Sequence, residues 1–438
     1  MIHVVDAMMG AGKSSAAIQF MNDHAHDRHF LYITPYLEET ERIHDACPEL
    51  DFALPNAACA DGEYTKTQHL KELLREGRNI SVSHALFTGS DRETVSLVSQ
   101  GNYVVIIDEV LEVLQQHAAS RFDIQMLINC KCIIPGGDDS DGEYDYYEWN
   151  PEVEYTHGVF ARLARVAKAH RLTNTRIHSK TAPHKMSFYY WSLHEELFTM
   201  PVETYVLTYL FDGSPMKAYF DLCGFEYEMI GVGRDEAGAY RFMDRATLPP
   251  LAGELKNLIH VFENDKLNEI GRRDRSLSVN WFKANRYADG GDKLDRLRKN
   301  LIQYFKYHAP QEYGSKYRMW TTFEDQFDCL KDLGYTKGYV TVNSRATNKY
   351  RERRVLAYCA NLYANPAMSN YFRQSGIAFD EDAYALSSLV QWVFRSAIRD
   401  GQEIWIYIPS GRMRKLLVDW MDGLYSASQK AKEGGVAA

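Results

Sequence analysis

Apolar residues in the first half of the chain fall into short runs separated by segments of helical spacing. IHVV (2–5) reads as a buried strand, residues 13–24 (KSSAAIQFMNDH) as a helix, and HFLYITP (29–35) as a second strand, with a helix over 37–46. NISVSHALF (79–87), NYVVIIDEV (102–110) and ETYVLTYLF (203–211) read as further strands. The β-branched run in NYVVIIDEV is what a central parallel strand needs, because both of its faces are covered. Strands alternating with helices predict an α/β domain.

At LPPLAGE (248–254) the pattern pauses, and a linker is expected there. Beyond it the spacing predicts an amphipathic helix over 289–308, a strand at YRMWTTF (317–323) and a helix through FEDQFDCLKDLG closed by Gly334. GYVTVN (338–343) follows as a strand, then helices over 352–364 and 381–399, and a last strand at EIWIYIP (403–409). Two successive α/β units predict two similar lobes with parallel sheets and flanking helices, residues 1–247 and 255–438. PGGDDSDGEYDYYEWN (135–150) is acidic, aromatic and glycine-bearing. It reads as an insertion in the first lobe, either a solvated surface loop or a loop that binds a partner.

The chemistry starts at AMMGAGKSS, which follows the first strand and opens the first helix. Gly10 and Gly12, with Ala11 between them, let the backbone curl so that several N–H groups point inward. Those donors and the helix N-terminus favour phosphate oxygens. Lys13 is placed to reach the β- and γ-phosphates of a nucleotide, and Ser14 to help hold Mg²⁺; Ala7 and Ser15 flank the loop. Asp108 and Glu109 end the most apolar strand, at the edge of a parallel sheet where ligands bind. Asp108 would hold Mg²⁺ through water, and Glu109 would orient or deprotonate an attacking water. The same two carboxylates would also suit the solvated start of a helix.

The pattern A-x-x-G-x-G-K-[ST] resembles motif I of the superfamily 2 helicases. Together, AMMGAGKS and IIDEV resemble the helicase family of herpesvirus origin-binding proteins and related phage ATPases. That resemblance implies two RecA-like P-loop NTPase lobes with ATP and Mg²⁺ in the cleft between them. It places ITP (33–35) at motif Ia and SHALF (83–87) at motif Ib, with Thr34, Ser83 and His84 towards nucleic acid. LTYLFDGS (207–214) falls at motif III, where only Thr208 fits. MWTTF, with Thr322, resembles motif IV, and RATN (345–348), with Thr347, resembles motif V without its following Arg-Gly. QWVFRSAIR (391–399) resembles motif VI: Gln391 and Arg395 keep its spacing, Phe394 replaces its glycine, and Arg399 arrives one residue late. The resemblance implies Arg395 as the guanidinium that stabilises γ-phosphate charge in the transition state, with Arg399 as a less regular partner. If the helix continues, Arg395 and Arg399 share a face.

Composition adjusts this picture only a little. The chain has 438 residues, 45% of them hydrophobic and 25% charged, ordinary values for a globular protein. No run of about 18 apolar residues indicates a membrane span, and no secretion signal is seen. Seven cysteines, with only Cys130 and Cys132 close together, do not make the two pairs of a structural zinc site. The cysteines are expected to be reduced and the protein cytoplasmic, in a host cytoplasm if phage-encoded. The net charge of −9 speaks against a simple nucleic-acid coat but not against a basic track on one face. Arg272, Arg273 and Arg275, a group from Lys283 to Lys299, Arg351 to Arg354, and Arg412 to Lys415 are candidates for phosphate contacts, or else solvated faces. Trp281, Phe282, Tyr304, Phe305 and Tyr307 would stack on bases or fill a core.

The combined expectation is a nucleic-acid-dependent ATPase, a helicase or translocase with DNA favoured over RNA and replication or recombination proteins as partners. Two rivals stay open. A nucleoside or other small-molecule kinase explains the phosphate loop but not the distant Gln-Arg motif. A nucleic-acid-binding ATP switch without motor activity explains the departures at motifs III, V and VI. No reader of the nucleotide base is visible in the sequence.

Overall fold

A computed structural model describes the chain except for residue 36, residues 57–64, residue 112, residues 137–145, 170–171, 175–184, 192–194, 245–254, 287–291, 343–347 and 424–438. The expected linker at 248–254 lies outside the described residues, as do the tip of the 135–150 segment and Thr347. The fold is mixed α/β with parallel sheets and flanking helices, the architecture of two RecA-like lobes. The chain forms two compact units: residues 1–246 with 365–379, and residues 247–364 with 380–438.

The first unit is built on seven strands: β1 (Ile2–Asp6), β2 (His29–Thr34), β3 (Ile80–Ser83), β4 (Tyr103–Asp108), β10 (Glu203–Thr208), β11 (Tyr227–Arg234) and β12 (Tyr240–Asp244). Their order is β12-β11-β1-β10-β4-β2-β3, and only β12 runs antiparallel to its neighbour. Alternation along the strands divides the core. Val4, Leu31, Ile33, Val105, Ile107 and Val206 pack on one face. Val5, Phe30, Tyr32, Val104, Ile106 and Leu207 pack on the other. Covering both faces is why these strands read as continuous apolar runs.

Some strands end earlier than their apolar runs. β3 stops at Ser83, whose hydroxyl accepts from the Leu86 N–H and caps the single helical turn His84–Phe87, so HALF is not strand. β10 stops at Thr208, where Leu210 turns into the left-handed region at φ 53°.

Between β4 and β10 lies a second sheet that the sequence does not announce. β5 (Leu114–Ser120), β6 (Ile133–Gly136), β7 (Tyr146–Trp149), β8 (Leu172–Asn174) and β9 (Lys185–Trp191) form it in the order β5-β9-β8-β7-β6, all antiparallel. The segment 135–150, expected to be a loop, thus begins and ends in paired strands, with Ile133 opposite Trp149. It closes on its own small core of Ile124, Leu127, Tyr147, Trp149, Leu163 and Leu172.

The second unit carries β13 (Ile259–Phe262), β14 (Arg318–Thr321), β15 (Val355–Tyr358) and β16 (Ile404–Tyr407), all parallel in the order β13-β16-β15-β14. β15 overturns the expected helix over 352–364. Val355 to Ala360 are all fully buried, and periodicity cannot separate such a run from a buried helix. The expected helix through FEDQFDCLKDLG shrinks to the turn Phe327–Leu330, ended by Lys331 in an extended conformation. The described residues of GYVTVN, 338–342, form no sheet strand either: Tyr339 makes one isolated bridge to Trp320, and Gly338 is pressed onto the Arg318 carbonyl. The helix expected over 289–308 is Asp292–Gln303 followed by a π-helical turn, Tyr304–His308.

One helix belongs to the other unit. Pro366–Gln374 lies in sequence between β15 and the helix Glu381–Val393, yet Tyr371 and Phe372 pack on Leu114 and Ala218 of the first unit. The sequence division at 247 and 255 did not foresee that return.

Candidate phosphate-binding site

The first strand delivers its chain end to the site and then stops hydrogen-bonding in register. Ala7 N–H donates to Thr208 O at 3.1 Å, after which the backbone curls through Gly10 at φ 83° and Gly12 at φ 95°. Left-handed angles of this kind favour glycine, and here they turn the chain straight into the helix Lys13–Asp23, with Gly12 as its cap. Ala11 N–H closes the turn onto Met8 O at 3.1 Å. Lys13 folds back over the loop, its Nζ donating to the carbonyls of Ala7 at 2.5 Å and Met8 at 3.1 Å. Ser14 is half-buried at the first turn and Ser15 is exposed beside it.

The strand β4 brings Asp108 to this loop. Because β10 lies between β1 and β4, the two strand ends are two places apart on the same carboxyl edge. Ser14 Oγ donates to Asp108 Oδ2 at 3.1 Å, and Tyr32 Oη donates to the same oxygen at 2.8 Å. Burial pushes the Asp108 carboxyl up, while the bonds from Tyr32 and Ser14 and the charge of Lys13 oppose it. Burial, followed by the Asp108 charge, likewise raises the Tyr32 phenol, which stays a donor. A hydroxyl and a carboxylate side by side are hard oxygen donors that fit Mg²⁺, an ion that keeps waters and phosphate oxygens for its remaining positions. Among the described residues no cluster of three or more His, Cys, Asp or Glu side chains could hold a metal ion by itself.

Glu109 follows at φ 64°, left-handed although it is not glycine, with its N–H donating to Leu207 O at 3.0 Å. Leu210, at the end of the adjoining strand, is also left-handed, and its N–H donates to Asp6 Oδ1 at 2.8 Å. Non-glycine residues in this region cost about 1–3 kcal/mol each and persist where the surroundings fix them. His84 Nε2 donates to the Asp108 main-chain carbonyl at 2.8 Å, which ties the SHALF segment to the acidic strand. Tyr32 and Asp6 escaped the sequence reading. Tyr32 is the one polar ring in an otherwise apolar strand interior, a signal that periodicity counts as core.

The other expected contacts are placed as follows. Thr34 and Thr322 are fully buried with hydroxyls that meet no partner, so neither reaches a surface where nucleic acid would lie. Ser83 serves as the cap already described. In the second unit the helix ends at Val393, and Arg399 falls in the separate 3₁₀ turn Ala397–Asp400, so Arg395 and Arg399 do not share a helix face. Gln391 Nε2 donates to Ser387 Oγ at 3.1 Å. Arg395 is buried beside Tyr358, and Arg399 is half-buried next to Asp400.

Much of the basic charge is already engaged. Arg296 pairs with Glu269, Arg298 and Lys299 with Asp295, Arg351 with Asp400, Arg412 with Asp382, and Lys415 with Asp419. Arg272, Arg273 and Arg275 stay exposed. Phe282, Tyr304 and Phe305 are core residues, whereas Tyr307 is exposed.

A parallel sheet whose carboxyl edge gathers a glycine-bearing loop, a lysine, a serine and a half-buried aspartate defines a P-loop α/β protein. Residues 253–421 match the family profile described as the YonV C-terminal Rossmann-like domain. The chain is 36% identical over 427 residues to the SPbeta prophage-derived uncharacterized protein YonV of Bacillus subtilis (strain 168), covering 96% of this chain and 98% of that one. The chain belongs to the YonV family. Among solved structures, S. tokodaii Xpd4 superposes with a TM-score of 0.45 at 10% identity, over 95% of this chain and 93% of that one. The DUF1998 helicase MrfA bound to DNA and AMPPNP gives 0.32 at 11% identity, over 95% of this chain and 47% of that one. Both likenesses are distant, and the geometry of the site stands without them. Among the described residues no helix is long and apolar enough to cross a membrane.

Proposed function

We propose that this protein is a nucleic-acid-dependent ATPase of superfamily 2 type, a phage-type helicase or translocase that couples ATP hydrolysis to movement on DNA. The observation that carries the reading is the meeting of Ser14 Oγ and Asp108 Oδ2 at 3.1 Å beneath a left-handed glycine loop capped by Lys13. In this reading the loop N–H groups and Lys13 would hold the triphosphate, and Ser14 and Asp108 would hold Mg²⁺, which would supply charge neutralisation at the phosphates. Glu109 orients the attacking water, and Gln391, Arg395 and Arg399 keep the roles their motif implies. The prophage-derived relative supports a phage-type protein. The nucleic-acid assignment rests on the motif resemblance and on the exposed arginines at 272, 273 and 275.

The test is ATP turnover by the purified chain with and without single-stranded DNA, duplex DNA and RNA, beside Lys13→Ala. Stimulation by one polymer, lost in the variant, supports the motor and names its track. Turnover indifferent to every polymer overturns it. Transfer of the γ-phosphate to a nucleoside would then establish a kinase, and polymer binding that is merely switched by ATP would establish the switch.

A further inference from the structure

Beside the phosphate loop stands a feature that the phosphate and metal contacts do not use. β11 runs parallel to β1 and β12 antiparallel to β11, so the hairpin joining β11 to β12 turns at the same edge of the sheet as the phosphate loop. Asp235 fixes that turn, its Oδ1 accepting from the N–H groups of Ala237 at 3.0 Å and Ala239 at 2.9 Å, and its Oδ2 from Arg241 Nε at 2.9 Å. Arg241 also pairs with Asp23, which anchors the hairpin to the helix that follows the loop.

The hairpin ends in a layered pair. The Arg234 guanidinium lies 4.3 Å from the centroid of the Tyr240 ring and donates to Tyr240 Oη at 2.7 Å and to Gly238 O at 3.0 Å. The ring itself meets Gly12: a Cβ added there would fall 2.2 Å from Tyr240 Cε1. Tyr240 therefore reaches the last residue of the loop before Lys13, and Arg234, an exposed residue, forms the outer layer.

We propose that Arg234 and Tyr240 form the platform on which the nucleotide base stacks, giving the site a preference for purine nucleoside triphosphates. The inference rests on the phosphate loop being a nucleotide site. A guanidinium plane is a surface on which bases stack, and an aromatic ring behind it fixes its orientation. The hydrogen bonds to Gly238 and Tyr240 hold the plane before the base arrives, so little ordering is left for binding. The platform stands beside the loop, at the same sheet edge that takes the phosphates, which is where a base joined to them through a ribose has to find a surface. A purine offers the larger face for stacking, and the platform reads no base edge, so adenine and guanine are accepted alike.

The experiment compares Mg²⁺-dependent binding of ATP, CTP and inorganic tripolyphosphate to the full chain by titration calorimetry, for the wild type, Lys13→Ala, Arg234→Ala, Tyr240→Ala and Tyr240→Phe. The wild type should bind ATP about tenfold more tightly than CTP, and Arg234→Ala and Tyr240→Ala should each weaken ATP by about tenfold or more while tripolyphosphate affinity holds. Tyr240→Phe keeps the ring but loses the hydroxyl that accepts from Arg234, so its ATP affinity should fall between those of wild type and Tyr240→Ala. Lys13→Ala should lose both ATP and tripolyphosphate. If the Arg234 and Tyr240 variants bind ATP normally while Lys13→Ala does not, the platform is refuted and the phosphate loop stands. Equal weakening of ATP and tripolyphosphate in Tyr240→Ala would make the ring a prop for Gly12 and also refute the platform. A wild type that binds neither ligand would remove the platform together with the nucleotide site.

Discussion

Tyr32 donates its hydroxyl to Asp108 at 2.8 Å, on the same carboxylate oxygen that takes the Ser14 hydroxyl. Both donors sit on one oxygen, so the ring acts on the site by positioning the carboxylate. Tyr32→Phe should keep the fold and raise the Mg²⁺ concentration for half-maximal ATP turnover by about tenfold, the usual cost of losing an outer partner of a metal ligand. A Mg²⁺ titration at fixed ATP reads the shift. An unchanged midpoint would make Tyr32 a packing residue only.

The left-handed backbone at Glu109 gives a second expectation. Glycine takes φ 64° without steric strain, and its entropy cost of about 0.5–1 kcal/mol is similar to the strain relieved. Glu109→Gly should leave the melting temperature within a few degrees of wild type while turnover falls by about a hundredfold or more. Thermal unfolding and turnover on the same preparation separate the two effects. A variant that melts much earlier would show that the Glu109 side chain also holds the fold.

Asp91 is the pH-sensitive cap of the helix Arg92–Gln100, accepting from the Thr94 N–H at 3.0 Å and from Lys71 Nζ at 2.6 Å. Burial pushes its carboxyl up, but the bonds from Lys71 and Thr94 outweigh burial and hold it below its usual value. A depressed carboxyl contributes stability that is complete above the unfolded value of about 4 and disappears as pH falls through the folded value. Asp91→Ala should therefore cost about 1 kcal/mol at pH 7, and the gap from wild type should narrow only below about pH 4. Urea unfolding at pH 7 and pH 3.5 measures both.

Phe372 is fully buried in the cluster with Leu114, Ala218 and Tyr371. Phe372→Ala should cost about 3–5 kcal/mol, the range for a deleted core ring. The loss should fall on the first unit although the residue is encoded beyond most of the second. Hydrogen exchange should show faster opening of β5 and Pro215–Cys223, with β13 to β16 unchanged. Faster exchange in β15 and β16 instead would contradict the assignment of residues 365–379 to the first unit.

Five of the seven strands of the first sheet were legible because each is a short apolar run, whereas β11 and β12 mix apolar with charged residues and were missed; the phosphate loop was legible because Gly10, Gly12 and Lys13 lie together in the chain. Asp108 was legible for the same reason: it ends the most apolar strand. Tyr32 was not, since what matters is a hydroxyl brought to Asp108 by strand order, and strand order is a property of the sheet. Tyr240 lies far from Gly12 in sequence and meets it only because β11 pairs with β1 and β12 with β11. In the second unit, Val355 to Ala360 look helical by composition and became strand because two layers cover them. Arg395 and Arg399 looked like helix neighbours until the chain turned at Ser396, whose hydroxyl donates to Val393 O at 2.6 Å.

The return of residues 365–379 to the first unit bears on how the chain is made. A ribosome releases the N-terminal residues first, and a self-contained N-terminal unit can finish folding while the remainder is still being synthesised. Here the residues that cover Leu114 and Ala218 emerge only after the first, larger segment of the second unit, residues 247–364. At about 5–20 residues per second, the apolar surface they cover is left open for on the order of ten seconds. A nascent chain of this protein therefore passes through a period in which its phosphate loop is already encoded and the small apolar cluster around Leu114 and Ala218 is still uncovered. During that interval a holding chaperone has a defined surface to occupy.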